Sequence, residues 1–232
     1  TGGGPGCSGL EAAVLETGPY VLWDVKVGSS MFNRRLTKNP YSWTKLAHVL
    51  YVDQPRYVGF SYGTGPPARS SAEAAADFVQ FLRGWLRLFP QHAGRPLVFA
   101  SDSYGGHLVA AWAAAVLDFN RDAARRAAEP PLRLRGIALG SALLNATLQG
   151  PASSQEFRRR HGLGDAAAPT PASAKAAMKE RLGYAPNVYD YRLRDQECCG
   201  CMGYNYKAWA DWLLTSPVTE ALGVCKGAGE TA

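Results

Sequence analysis

Residues 96–107 read Pro-Leu-Val-Phe-Ala-Ser-Asp-Ser-Tyr-Gly-Gly-His: an apolar strand, a tight turn carrying a serine, and the start of a helix. A turn this sharp forms only where small residues two positions before and after the serine let strand and helix approach closely. Ser101 and Gly105 supply those residues, and Ser103 between them is the candidate nucleophile. The usual G-x-S-x-G pattern has glycine where Ser101 stands, so the match is incomplete. The strand, helix and second apolar run in this order predict an α/β fold with parallel strands and crossover helices.

A second segment complements the turn. Residues 1–8 read Thr-Gly-Gly-Gly-Pro-Gly-Cys-Ser, and such a glycine cluster can point several backbone N–H groups outward together, as an oxyanion hole requires. An attacked carbonyl would lie over Ser103, its developing charge taken by the N–H groups of Gly4 and Tyr104. A flexible linker and a phosphate loop are the alternatives. The phosphate loop needs a following Lys-Ser/Thr or a G-x-G-x-x-G opening a helix, and the sequence has neither.

Periodicity places these motifs. Leu46 to Val52 reads as a buried strand ending at the turn Asp53-Gln54-Pro55. Ser70 and Glu73 form a capping box opening a helix in which Phe78, Phe81, Leu82, Trp85 and Phe89 recur at helical spacing, a stripe that reads as core packing. Pro90 and Gly94 break that helix, a strand begins near Pro96, an Ala-rich helix runs from about Gly106 to Ala127, and strand returns from Leu132 to Leu139. Composition changes after Gly150, where an Ala/Pro-rich stretch and a helix around Ser173 to Leu182 read as an insertion.

With 232 residues, 47% of them hydrophobic, the chain can bury one sizeable core. Its net charge of +6 is scattered over arginines, with clusters at Arg158-Arg159-Arg160 and from Arg121 to Arg126. A basic stripe interleaved with aromatics is missing, so solvated helix faces are favoured over nucleic-acid binding. No apolar run reaches the ~18 residues of a membrane span. Of five cysteines, Cys198, Cys199 and Cys201 crowd together while Cys7 and Cys225 lie far apart, a pattern that fits disulfides in an oxidising compartment. A zinc site is disfavoured, because Cys198-x-x-Cys201 has no second pair at finger spacing and no nearby histidine.

These segments together resemble the serine carboxypeptidases and carboxypeptidase-like acyltransferases. The resemblance rests on Gly3 to Ser8, Glu16-Thr17-Gly18-Pro19, Asn39 to Trp43, Asp53-Gln54-Pro55 with Gly59 to Tyr62, and the Ser103 segment. It continues through Gly136 to Gln149, Asn187 to Arg192 and Ser216 to Val224. It implies an α/β-hydrolase fold: a core with oxyanion loop and elbow over 1–150, a helical cap over 151–215 with Tyr191 among its pocket walls, and a return to the core over 216–232.

The resemblance also implies a serine-type carboxypeptidase that needs no cofactor or metal and acts on a peptide or protein with a free C-terminus. In the family that carboxylate is held by an Asn in the glycine motif, a Glu before Gly-Pro and a Glu before the nucleophile. Here Gly2 stands for the Asn, Glu16 matches, and Asp102 replaces the second Glu, so Gly3, Glu16 and Asp102 are the expected substrate-binding residues. Paired acids beside a carboxylate must share protons, which favours work at acidic pH. An Asp before the nucleophile is also the acyltransferase pattern, and a non-catalytic binding fragment is the reading from another class.

The family's triad Asp and His follow the stretch like 216–224, and His48, His92, His107 and His161 match neither place. The chain therefore reads as a fragment that is inactive alone, and its missing targeting sequence says nothing about destination. The family's compartments are the secretory pathway, vacuole or lysosome, and the cell exterior. A homodimer is the other expected partnership. Cys7 is expected to pair with Cys225, with a local bridge among the other three cysteines. Asn145-Ala146-Thr147 is a glycosylation sequon in a loop that the family sets near its pocket.

Overall fold

The computed structural model describes residues 2–22, 36–122, 124, 129–149, 156, 159–162, 171–185 and 213–223. The chain divides into two units, Thr1–Gln149 and Gly150–Ala232.

The first unit is built on two helices, α2 (Ser71–Leu88) and α3 (Gly105–Arg121), preceded by the short α1 (Gly9–Leu15). Ser70 caps α2, its hydroxyl accepting from the N–H of Glu73 at 3.2 Å. Glu73 reaches back one residue further than an ordinary capping box, accepting from the N–H of Arg69 at 2.9 Å. Ala74, Ala75, Phe78, Val79 and Leu82 form the buried stripe of α2. Leu108, Val109, Trp112, Val116 and Phe119 of α3 pack on it at helical spacing. The Phe78 ring stacks on Trp112 at 3.7 Å and meets Phe99 edge-on at 5.3 Å. Burial of each such side chain stabilises the fold by about 1.5–3 kcal/mol.

The expected aromatic stripe is split. Phe78 and Leu82 enter the core, whereas Phe81 and Phe89 are exposed, because α3 covers only the row through Phe78 and Leu82. Trp85 instead gathers Phe89 and His92 against itself, each with ring centroids at 5.1 Å.

Strand β3 (Leu97–Asp102) pairs in parallel with β4 (Leu134–Gly140), from Val98↔Gly136 to Asp102↔Gly140, with α3 in the crossover between them. The Asn120 side chain donates to the carbonyl of Leu132 at 2.7 Å and accepts from its N–H at 2.9 Å. One amide thus takes both backbone bonds of Leu132 and fixes the approach to β4. β1 (Tyr20–Leu22) and β2 (Leu36–Lys38) form a separate antiparallel pair.

Residues 46–52 correct the sequence reading. They form no strand, Leu46 is 92% exposed, and Leu50 is exposed as well. A strand needs a neighbouring ladder for its N–H and C=O groups, and β3 and β4 bond only to each other among the described residues. An apolar run without a ladder partner stays irregular.

In the second unit, α4 (Pro171–Leu182) ends at Gly183, whose φ of 72° turns the chain out of the helix. α5 (Ser216–Ala221) starts with proline in its first turn. Glu156 pairs with Arg159 and Arg160 at 2.8 and 2.7 Å on an exposed face, so part of the arginine cluster is neutralised locally. Tyr191, Cys198, Cys199, Cys201 and Cys225 lie outside the described residues. No helix among the described residues is long and apolar enough to cross a membrane.

Candidate active site

The turn between β3 and α3 places Ser103 at φ 49°, in the left-handed region that L side chains rarely occupy. Three backbone bonds hold it there. The Ser103 N–H donates to Gly140 at 3.0 Å, and its carbonyl accepts from Gly106 at 3.1 Å and Leu143 at 2.8 Å. Small residues are mandatory on the helix side. A Cβ on Gly105 would lie 1.6 Å from the Ser101 hydroxyl, and one on Gly106 would lie 2.8 Å from both the Ala142 side chain and the Leu143 carbonyl.

The glycine loop lies directly against this turn. A Cβ on Gly3 would come within 2.7 Å of Ser103 Cβ, 3.1 Å of its Oγ and 3.4 Å of the Tyr104 nitrogen. Gly4 adopts φ +116°, and its Cβ would strike the nitrogens of Gly6 and Cys7 at 2.3 and 2.6 Å. Neither the Gly4 nor the Tyr104 N–H bonds to any described residue, and the Ser103 hydroxyl likewise has no described partner. The structure therefore brings Gly3 against Ser103 and Tyr104, with Gly4 the next residue of the same loop.

Glu16 and Asp102, 86 positions apart in sequence, interact electrostatically. Burial, then the neighbouring Asp102 charge, raises the Glu16 pKa above the ordinary carboxylate value. Glu16 is held by a residue that sequence reasoning read only as part of a motif. Asn39, 2% exposed, donates to the carbonyls of Glu16 and Gly18 at 2.8 and 2.9 Å. A buried Asn must satisfy its whole amide and so marks a clamp, but the burial of Asn39 is legible only in the structure.

Asp53 is a second missed residue, read from sequence only as the first residue of the turn Asp53-Gln54-Pro55 and of a family motif. Its Oδ1 accepts from the Ser8 hydroxyl at 2.6 Å and the Gly9 N–H at 2.7 Å, and its Oδ2 from the Phe60 N–H at 2.8 Å. The Ser61 hydroxyl donates to its carbonyl at 2.7 Å.

The histidines of the first unit make ring contacts, and among the described residues none of them hydrogen-bonds to Ser103. His48 packs edge-on against His92 at 5.1 Å, and His107 lies against Tyr104 at 5.0 Å. Cys7 is buried, and its expected partner lies outside the described residues. No cluster of three or more metal-ligating side chains occurs among the described residues.

Comparison with known proteins fits this geometry. The serine carboxypeptidase (peptidase S10) family pattern matches residues 2–199. The pheromone-processing carboxypeptidase KEX1 of Coccidioides posadasii is 31% identical over 229 residues, covering 85% of this chain and 34% of that protein. Serine carboxypeptidase-like 37 of Arabidopsis thaliana is 36% identical over 167 residues, covering 69% and 31%. The solved prohormone-processing carboxypeptidase of Saccharomyces cerevisiae matches with a TM-score of 0.71 at 20% identity, over 97% of this chain and 54% of its own. The chain spans about a third of the length of these curated relatives. Strand, elbow and crossover helix, matched by both sequence and structure, identify an α/β-hydrolase fold in a chain that belongs to the serine carboxypeptidase family.

Proposed function

We propose that the protein carrying this chain is a serine carboxypeptidase that releases C-terminal residues through an acyl-enzyme on Ser103. The observation that carries this reading is the elbow serine at φ 49° with Gly3 of the glycine loop against its hydroxyl, and with the Gly4 and Tyr104 N–H groups bonded to no described residue. Ser103 Oγ attacks the last peptide carbonyl and its proton passes to a base. The tetrahedral oxyanion accepts from the Gly4 and Tyr104 N–H groups. The C–N bond then breaks, the departing amine takes the proton, and water cleaves the ester. Gly3, without a side chain, leaves room for the carbonyl over the hydroxyl.

Glu16 and Asp102 are the readers of the substrate carboxylate. Burial and the Asp102 charge favour a neutral Glu16, which can donate a hydrogen bond to that carboxylate. A rise in pH through the raised pKa ionises Glu16 and turns donation into repulsion, so acidic conditions favour binding. The acyltransferase reading is supported by Asp102 standing where the peptidases carry Glu. It passes the same acyl group to an alcohol, and faster transfer to an added alcohol than to water would select it. Residues 151–215 serve as the cap, the secretory pathway is the compartment, and pairing of two copies is testable by light scattering.

The deciding experiment is fluorophosphonate treatment of the intact protein followed by peptide mass spectrometry. The adduct is expected on Ser103, and labelling of Ser8, Ser61 or Ser101 in its place would overturn the assignment.

A further inference from the structure

We propose that Asp53 is a positioning residue that fastens the glycine loop so that the Gly4 N–H faces the carbonyl attacked by Ser103. The proposal rests on the Ser103 reading above and extends it to a residue with no place in that chemistry. Contacts flank the glycine loop at both of its ends. At one end, Gly3 is pressed on Ser103 and Gly2 lies beside the elbow, its carbonyl 3.2 Å from where a Gly105 Cβ would be. At the other end, the chain passes into α1 through Ser8 and Gly9, both of which donate to one Asp53 oxygen at 2.6 and 2.7 Å. Ser8 Oγ also accepts from the Leu10 N–H at 3.1 Å, so the same hydroxyl caps α1 and grips Asp53.

Asp53 is itself held from the far side. Phe60 N–H occupies its second oxygen at 2.8 Å, and Ser61 Oγ donates to its backbone carbonyl at 2.7 Å. Gly59, at φ +56°, leaves no room for a Cβ, which would fall 2.1 Å from Asp53 Oδ2. The residue before Asp53 closes the same contact, since a Cβ on Gly9 would strike the Val52 carbonyl at 2.3 Å. The three groups bonded to the carboxylate among the described residues all donate to it, two to Oδ1 and one to Oδ2. An Asn at this position would keep one acceptor and turn an NH₂ toward a donor.

Loop position matters most where charge develops, so loss of the clamp acts on the transition state more than on the bound substrate. In the intact protein, Asp53→Asn is expected to lower kcat by about 100-fold, the low end of what loss of one oxyanion donor costs, with KM within about threefold. Affinity for a peptide aldehyde, which forms the tetrahedral adduct, should fall in proportion, while a cleavage-product peptide should bind as before. Ser8→Ala, which removes one of three donors, should slow fluorophosphonate labelling of Ser103 by about tenfold, and it serves as the test if Asp53→Asn does not fold. Asp53→Glu should recover part of kcat.

Undiminished labelling at Ser103 in Ser8→Ala, or in a folded Asp53→Asn, would overturn the proposal alone. So would losses of kcat and product affinity in equal measure, the mark of a merely structural residue. Absence of label at Ser103 in the unaltered protein would instead overturn the nucleophile assignment, and this proposal with it.

Discussion

The elbow and residues 46–52 are both short apolar stretches next to turn residues, yet one folds as expected and the other does not. The elbow carries its geometry within itself. Glycines without room for a Cβ, a serine at φ 49° and three backbone bonds to the Ser103 peptide leave the chain a single course. Leu46 to Val52 holds only hydrophobicity, which rewards burial but chooses no partner, and Leu46 remains 92% exposed. Steric exclusion fixes structure locally, whereas hydrophobicity fixes it only where a complementary face is present.

The contrast can be tested from its strong end to its weak one. Ser103→Ala in the intact protein should lower peptidase kcat by about 10⁴–10⁶-fold without altering the fold, as measured by steady-state kinetics and circular dichroism. Phe78→Ala, which empties the ring stack on Trp112, should cost about 3–5 kcal/mol of stability in urea titrations. A cost below 1 kcal/mol would mean that this stack is not the core.

Gly3→Ala should lower stability, because its Cβ would fall 2.7 Å from Ser103 Cβ, and in the folded protein it should reduce kcat by about 10²–10³-fold by crowding the oxyanion site. For free-acid peptides, kcat/KM should fall as pH rises through the Glu16 pKa, which burial and Asp102 hold above the ordinary value. The fall approaches tenfold per pH unit above that pKa, and it should be weakened in Glu16→Gln and for amidated peptides, which turn over poorly at every pH. Leu46→Ser should change stability by less than about 0.5 kcal/mol, as for other exposed positions. A loss of 2 kcal/mol or more would show that this segment is covered in the intact protein and restore the buried-strand reading.

What was legible in the sequence follows the same division. The Ser103 turn, the glycine loop, the Ser70 cap and the β3–α3–β4 order all rest on local chemistry, and all are present. The Phe81 and Phe89 positions were misplaced because periodicity gives the angular spread of a stripe but not the width of the helix that covers it. Asn39 and Asp53 escaped notice for a different reason. Their partners, Glu16 and Gly18 for one and Ser8, Gly9 and Phe60 for the other, are chosen by the folded backbone, which no local pattern announces.

The contact between Ser101 and Gly105 has one more consequence. With the Ser101 hydroxyl 1.6 Å from where a Gly105 Cβ would stand, the two positions occupy a single shared volume on either side of the nucleophile. That volume holds one small side chain, and either position can hold it as far as this contact decides. The glycine absent from position 101 and the glycine present at position 105 are therefore one constraint written in either of two places, and substitutions there are coupled.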